Sequence, residues 1–267
     1  MAAHFWAKFP ARSRPRTRTE RVVVPIVAAV VAIVLWHLVS LMLPTLILPG
    51  PFDVAARIVD QLASGIVWRY LWPTLLPALL GCLIAVVGSF TLGVLVSHSR
   101  ILAAVFEPFV AISQTVPLVA VAPLLVVWLG YGSVPIAVLC AIVAFFPMVT
   151  TTILGFRQLE QPELEAALLD GATRLKRFWH IELPLAAPAI IAGMRAGSVL
   201  AMTGAIVGEF VMGGRGLGTL LTLSRQAADT TGVFTVIFWI SGAAMLLYLV
   251  FAAMEAVIVK RVIGDEE

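Results

Sequence analysis

The sequence predicts an all-α, polytopic membrane protein with six transmembrane helices and a cytoplasmic loop of two short helices. Three observations carry this. Hydrophobic residues make up 61% of the 267, charged residues only 12%, and the mean hydropathy is +1.02. A soluble domain runs near 25% charged, so soluble globular and disordered classes are both excluded. Second, four long stretches lack Asp, Glu, Lys and Arg: residues 22–52, 70–99, 108–156 and 230–254. Third, a further apolar run, 186–212, carries only Arg195 and Glu209.

A spanning helix needs about 20 apolar residues. The 49-residue stretch 108–156 is too long for one span, and Gly130-Tyr131-Gly132-Ser133 with Pro135 divides it into two. The spans are then 22–43, 71–97, 106–129, 134–154, 186–212 and 233–257. With a cytoplasmic N-terminus, 13 Lys and Arg fall on inside segments and 4 on outside segments, with Arg195 within a span. The positive-inside rule selects that orientation, with both termini cytoplasmic. The first apolar run exceeds a signal-peptide core and no small-residue cleavage site follows, so it reads as an uncleaved span.

Residues 1–21 form a basic cytoplasmic tail, 22–43 the first span and 44–69 an outer linker. Residues 70–260 form the transmembrane domain, with the loop 157–185 inside it, and 261–267 a short tail. In the linker Pro49-Gly50-Pro51 makes a turn. Val54, Ile58 and Leu62 then fall on one helical face opposite Asp53, Arg57 and Asp60, an amphipathic helix at the outer interface.

Catalytic grammar is missing. There is no P-loop, no nucleophile elbow, and His4, His37, His98 and His180 stand singly without metal spacing. Cys82 and Cys140, each inside an apolar run, suggest neither a disulfide framework nor a zinc site. The glycine-rich segment Gly213-Gly214-Arg215-Gly216-Leu217-Gly218 lacks a preceding strand and a Lys, and reads as a flexible turn. A net charge of +3 forms no stripe for nucleic acid. The chain is therefore not expected to be an enzyme.

The loop 157–185 has defined grammar. Pro162 opens a helix, Glu163 and Glu165 favour its N-terminus, and Leu164, Ala167 and Leu168 share a face. Gly171 ends it. Thr173 caps a second short helix, Arg174 to His180, which Leu183-Pro184 stops.

Glu165-Ala166-Ala167, Gly171, Ile181 and Leu183-Pro184 stand at spacings that resemble the EAA loop of bacterial ABC importer permeases. Leu48-Pro49-Gly50-Pro51, Pro117, Pro123, Phe146-Pro147 and Gly216-Leu217-Gly218 are similar to that family's nitrate/sulfonate/taurine branch, over roughly 45–260. The resemblance implies a permease subunit of an ATP-driven importer in a bacterial inner membrane. Its solute would be a small polar or anionic nutrient, sulfonate-, nitrate- or taurine-like, with heterocyclic vitamin precursors also open. It implies docking of the EAA loop on a separate ATP-binding subunit, present in two copies, which carries ATP and magnesium; this chain would hold no cofactor. It implies a second permease copy, most simply a homodimer, and an external solute-binding protein received by residues 44–69 and 213–232. The alternatives are an ion-gradient-driven secondary transporter and a membrane scaffold without transport. Glu107, Glu209 and Glu255 sit near span ends, against the mid-depth carboxylates the former needs.

Ionisable and polar residues at membrane depth mark a possible substrate path: Gln114, Thr115, Arg195 and Glu209. Arg195 and Glu209 are fourteen residues apart, about 21 Å along a helix, too far to pair; Glu107 is the expected partner of Arg195. Glu209 is either a gate residue or a tie to the outer loop. Gly193, Gly197, Gly204 and Gly208 are expected to let the fifth span pack closely.

Overall fold

The computed structural model describes residues 18–113, 117–159 and 173–263, and every described element is helical. The helices are α1 (Arg18–Met42), α2 (Pro51–Ala63), α3 (Ile66–His98), α4 (Arg100–Ser113), α5 (Ala122–Leu129), α6 (Ser133–Arg157), α7 (Arg174–Arg177), α8 (Leu183–Met212), α9 (Leu217–Gln226) and α10 (Thr230–Ile263). Among the described residues five helical stretches are long and apolar enough to cross a membrane: Val23–Met42, Ile66–His98, Ser133–Arg157, Arg174–Met212 and Thr230–Ile258.

The expected span 106–129 is not one helix. It is divided into α4, a 3-10 turn at Leu118–Val121, and α5. Pro117 removes a backbone N–H from the ladder, which weakens a continuous helix here, and Pro123 stands in the first turn of α5, where a missing N–H costs nothing. At eight residues α5 is only about 12 Å long. The turn that follows is as expected: Gly130 and Gly132 have φ of +75° and +128°, values that residues with a Cβ rarely adopt.

The centre is α3, α6 and α8, with α10 flanking α8. Side chains such as Leu139, Met148 and Met202 are fully enclosed there. Lipid tails are as apolar as leucine, so helices in a bilayer associate through close contact of small residues. The four glycines of α8 do this along one stripe against α6. A Cβ on Gly193 would overlap Thr151, and one on Gly197 would overlap Met148. On Gly204 it would stand 3.1 Å from the Cys140 Cα, and on Gly208 3.1 Å from Ile136 Cγ2. Gly81 and Gly93 of α3 do the same against Cys140 and Thr152, so Cys140 lies where all three helices meet.

The amphipathic helix α2 forms, and its three apolar residues differ in burial. Val54 is buried and Ile58 half-buried, but Leu62 is exposed and Gln61 is buried in its place. The cause is a hydrogen bond: Trp239 Nε1 donates to Gln61 Oε1 at 2.9 Å, which draws the amide inward. Arg57 of α2 pairs with Asp229, ahead of α10, at 2.7 Å. Helix α1 stands largely apart, its apolar side chains exposed from Val23 to Leu35. It is held near one end, where Trp36 Nε1 donates to the Pro49 carbonyl at 3.1 Å and its ring stacks on Phe234.

Candidate functional site

Helix α8 and the turn before it carry a buried carboxylate at each end, Glu182 and Glu209, with side chains almost wholly enclosed. Each is bonded to α3.

At the first end, α7 begins at Thr173, whose Oγ1 accepts from the Lys176 N–H at 3.4 Å, the expected cap. The helix does not stop at Leu183-Pro184. It widens into a π turn over Phe178–Glu182, in which the Leu183 N–H reaches the Phe178 carbonyl, and runs on as α8. A tight turn would press the Pro184 ring on the carbonyl four residues back; the wider turn removes that clash and the missing N–H leaves no broken bond. Arg174–Met212 is thus one 39-residue helical stretch. Glu182 Oε1 accepts from Arg177 Nε at 2.6 Å, and Oε2 stands 2.7 Å from His98 Nε2 on α3. His98 also holds the Val94 carbonyl through Nδ1 at 2.8 Å and meets Phe156 and Phe178 edge-on.

At the other end, Glu209 Oε1 accepts from Thr74 Oγ1 of α3 at 2.6 Å, and Oε2 accepts from the Thr219 N–H at 3.1 Å. Thr74 Oγ1 in turn accepts from the Leu217 N–H at 2.7 Å. Leu217 and Thr219 lie in the first turn of α9, whose N-cap Gly216 has no side chain to satisfy them. Glu209 and Thr74 therefore cap α9 from two other helices, where a negative group also suits the helix dipole. The glycine-rich segment is shaped to this carboxylate and is not a loose turn. A Cβ on Gly216 would overlap Glu209 Oε1 and Thr74 Oγ1, one on Gly218 would come within 3.0 Å of Oε2, and one on Gly214 within 3.2 Å of Cγ. Beside it opens a cleft of about 850 Å³, lined in part by Trp72, Tyr131, Ser133, Glu209 and Arg215.

Arg195 pairs with Glu255 of α10, not with Glu107. Its Nη1 stands 2.7 Å from Glu255 Oε2, an ion contact outside hydrogen-bond alignment, and its guanidinium lies 5.1 Å from the Tyr248 ring centroid. Glu107 pairs instead with Arg157, the last residue of α6. Of the other expected site residues, Ile181 lies in the π turn and Leu183 and Pro184 open α8. Glu165, Ala166, Ala167, Gly171, Gln114 and Thr115 lie outside the described residues. Sequence reasoning missed His98, Glu182, Thr74 and Gly216. A carboxylate five residues after Arg177 gave no signal for the first pair, and only the unexplained run of glycines hinted at the second.

Residues 85–264 match the family described as the binding-protein-dependent transport system inner membrane component. The chain is 35% identical to the riboflavin transport system permease protein RibX of Chloroflexus aurantiacus, over 81% of each chain. It is 27% identical to the taurine transport system permease protein TauC of Escherichia coli, over 85% of each. Its fold is that of a chain in an inward-facing MetNI methionine ABC transporter, with a TM-score of 0.63 at 18% identity, covering 73% of this chain and 97% of that one. The matched family, the relatives and the glycine-packed bundle agree: the chain belongs to the binding-protein-dependent transport system inner membrane components, the multi-pass permease subunits of ABC importers.

Proposed function

We propose that this permease forms, with a second copy of itself, the translocation pathway of an ATP-driven importer, its termini and the loop 157–185 in the cytoplasm. The cleft beside Glu209 then faces outward, and an external solute-binding protein delivers its cargo over residues 44–69 and 213–232. Glu165, Ala166, Ala167 and Gly171 seat in a cleft of the ATP-binding subunit, which carries ATP and magnesium. Ile181, Leu183 and Pro184 join that segment to the bundle. The observation that carries this reading is the unbroken helix Arg174–Met212. A pull on the loop is passed into a membrane span without a hinge. Reversing a 1:99 equilibrium between inward- and outward-open states takes about 5.5 kcal/mol of differential binding, which closure of two ATP-binding subunits on nucleotide supplies.

The solute is a small polar or anionic nutrient of the sulfonate, nitrate or taurine kind. A second reading, a flat heterocycle, is favoured by Trp72 and Tyr131 in the cleft wall and by the 35% identity to a riboflavin permease. Proteoliposomes holding the permease and its co-purified partners test both with radiolabelled taurine and riboflavin. ATP-dependent accumulation of one of them is expected. Uptake that persists without ATP and collapses with the ion gradient would establish a secondary transporter instead. Gly171→Val and Glu165→Arg are expected to leave the chain inserted while the ATP-binding subunit no longer co-purifies. Normal co-purification and uptake in both would refute the docking assignment.

A further inference from the structure

The two carboxylates bracketing α8 contact the same neighbour. Glu182 meets His98 at one end of α3 and Glu209 meets Thr74 near the other. Thr74 and His98 are twenty-four residues apart, and Glu182 and Glu209 twenty-seven, so the two contacts lie roughly 36–40 Å apart at 1.5 Å per residue, close to the full bilayer thickness. Between them the α3 and α8 surfaces are apolar or small, and in lipid no hydrophobic force adds to their packing. A polar contact to a buried carboxylate resists sliding: separating His98 from Glu182, or Thr74 from Glu209, leaves one oxygen of an enclosed carboxylate without that partner. The His98 ring further rests edge-on against Phe156 and Phe178, which stack on each other.

Resting on the function proposed above, we propose that α3 and α8 are pinned at both membrane faces and travel as one rigid body, with Glu182 and His98 as the positioning residues that hand the motion of the coupling segment to α3. Glu182 lies in the π turn that joins that segment to α8. A displacement there reaches the cleft through two helices, and Thr74 delivers α3's share to Glu209 and the cap of α9.

The test needs no knowledge of the solute. The permease and its ATP-binding subunit are reconstituted together, and the rate of tryptic cutting at exposed Arg215 is measured with and without MgATP and vanadate. The wild type is expected to change at least threefold on trapping. His98→Leu, which leaves the Arg177–Glu182 pair intact, is expected to lose that change while still hydrolysing ATP. In His98→Cys/Glu182→Cys, a short bis-methanethiosulfonate bridge is expected to restore it, reversed by reductant; the native Cys82 and Cys140 are buried. A bridge that stops both ATP hydrolysis and the change at Arg215 would show that α3 must slide on α8, and would overturn the inference. So would a full nucleotide response in His98→Leu. A wild type with no nucleotide response refutes the importer reading itself, a distinct outcome.

Discussion

Replacing Gly216 by alanine puts one methyl group where none fits. The backbone there is at φ −102°, ψ −164°, a conformation alanine adopts freely, so strain in the chain contributes nothing. The effect is steric. The new Cβ would overlap both Glu209 Oε1 and Thr74 Oγ1, and the 2.6 Å bond between them must break or the segment must lift away. Losing that bond costs about 1–3 kcal/mol, and overpacking adds about 1–3 kcal/mol. The sum is on the order of 2–6 kcal/mol. It falls on the local opening of the glycine-rich segment, because the α3–α6–α8 packing lies below it. At about 1.4 kcal/mol per tenfold, even 2 kcal/mol raises the open population roughly 30-fold. Trypsin cutting at Arg215 in right-side-out vesicles reads that population, and at least a tenfold acceleration is expected. Gly214→Ala, with its nearest contact at 3.2 Å, should change the rate far less. Equal rates for wild type, Gly214→Ala and Gly216→Ala would refute the argument that the segment is shaped around the carboxylate.

Gly197→Leu should lower the thermal midpoint in detergent, by an overpacking cost of about 1–3 kcal/mol or more, because Met148 already fills that space; Gly242→Leu, with nothing within 4 Å, should not. Arg195→Met leaves Glu255 without its cation and should cost about 1–2 kcal/mol, largely recovered by adding Glu255→Gln; a double-mutant cycle with no coupling would remove the pair from the account. Trp239→Phe deletes the donor to Gln61 and should loosen α2 by about 1 kcal/mol, seen as faster amide exchange in Pro51–Ala63 with α3 unchanged.

Apolar length and the prolines told most of the fold. The glycines at positions 193, 197, 204 and 208 recur every four or seven residues on one face, and that periodicity made a packing stripe legible before any partner was known. The partner was not legible: Thr151, Met148, Cys140 and Ile136 are ordinary residues in an ordinary apolar run. Leu183-Pro184 misled, because the rule that proline stops a helix assumes the turn before it stays tight. A π turn evades the rule and leaves no mark in composition. Arg195 was paired with the wrong acid for a similar reason. Glu107 and Glu255 both lie near its depth, and only the path of α10 beside α8 decides between them. Periodicity put Leu62 on one face with Val54 and Ile58, and only the indole of Trp239, which holds the neighbouring Gln61, separates Leu62 from that buried side.

Glu209 completes a helix that is synthesised after it. When the ribosome has just delivered the end of α8, Thr74 is already in place, but the amides of residues 217 and 219 are not. The acid must therefore wait, half-satisfied, near the membrane surface until the next eight or ten residues emerge and fold over it. The outer end of α8 is thus not seated until α9 arrives, and a chain truncated within the glycine-rich segment should leave α8 inserted but poorly anchored.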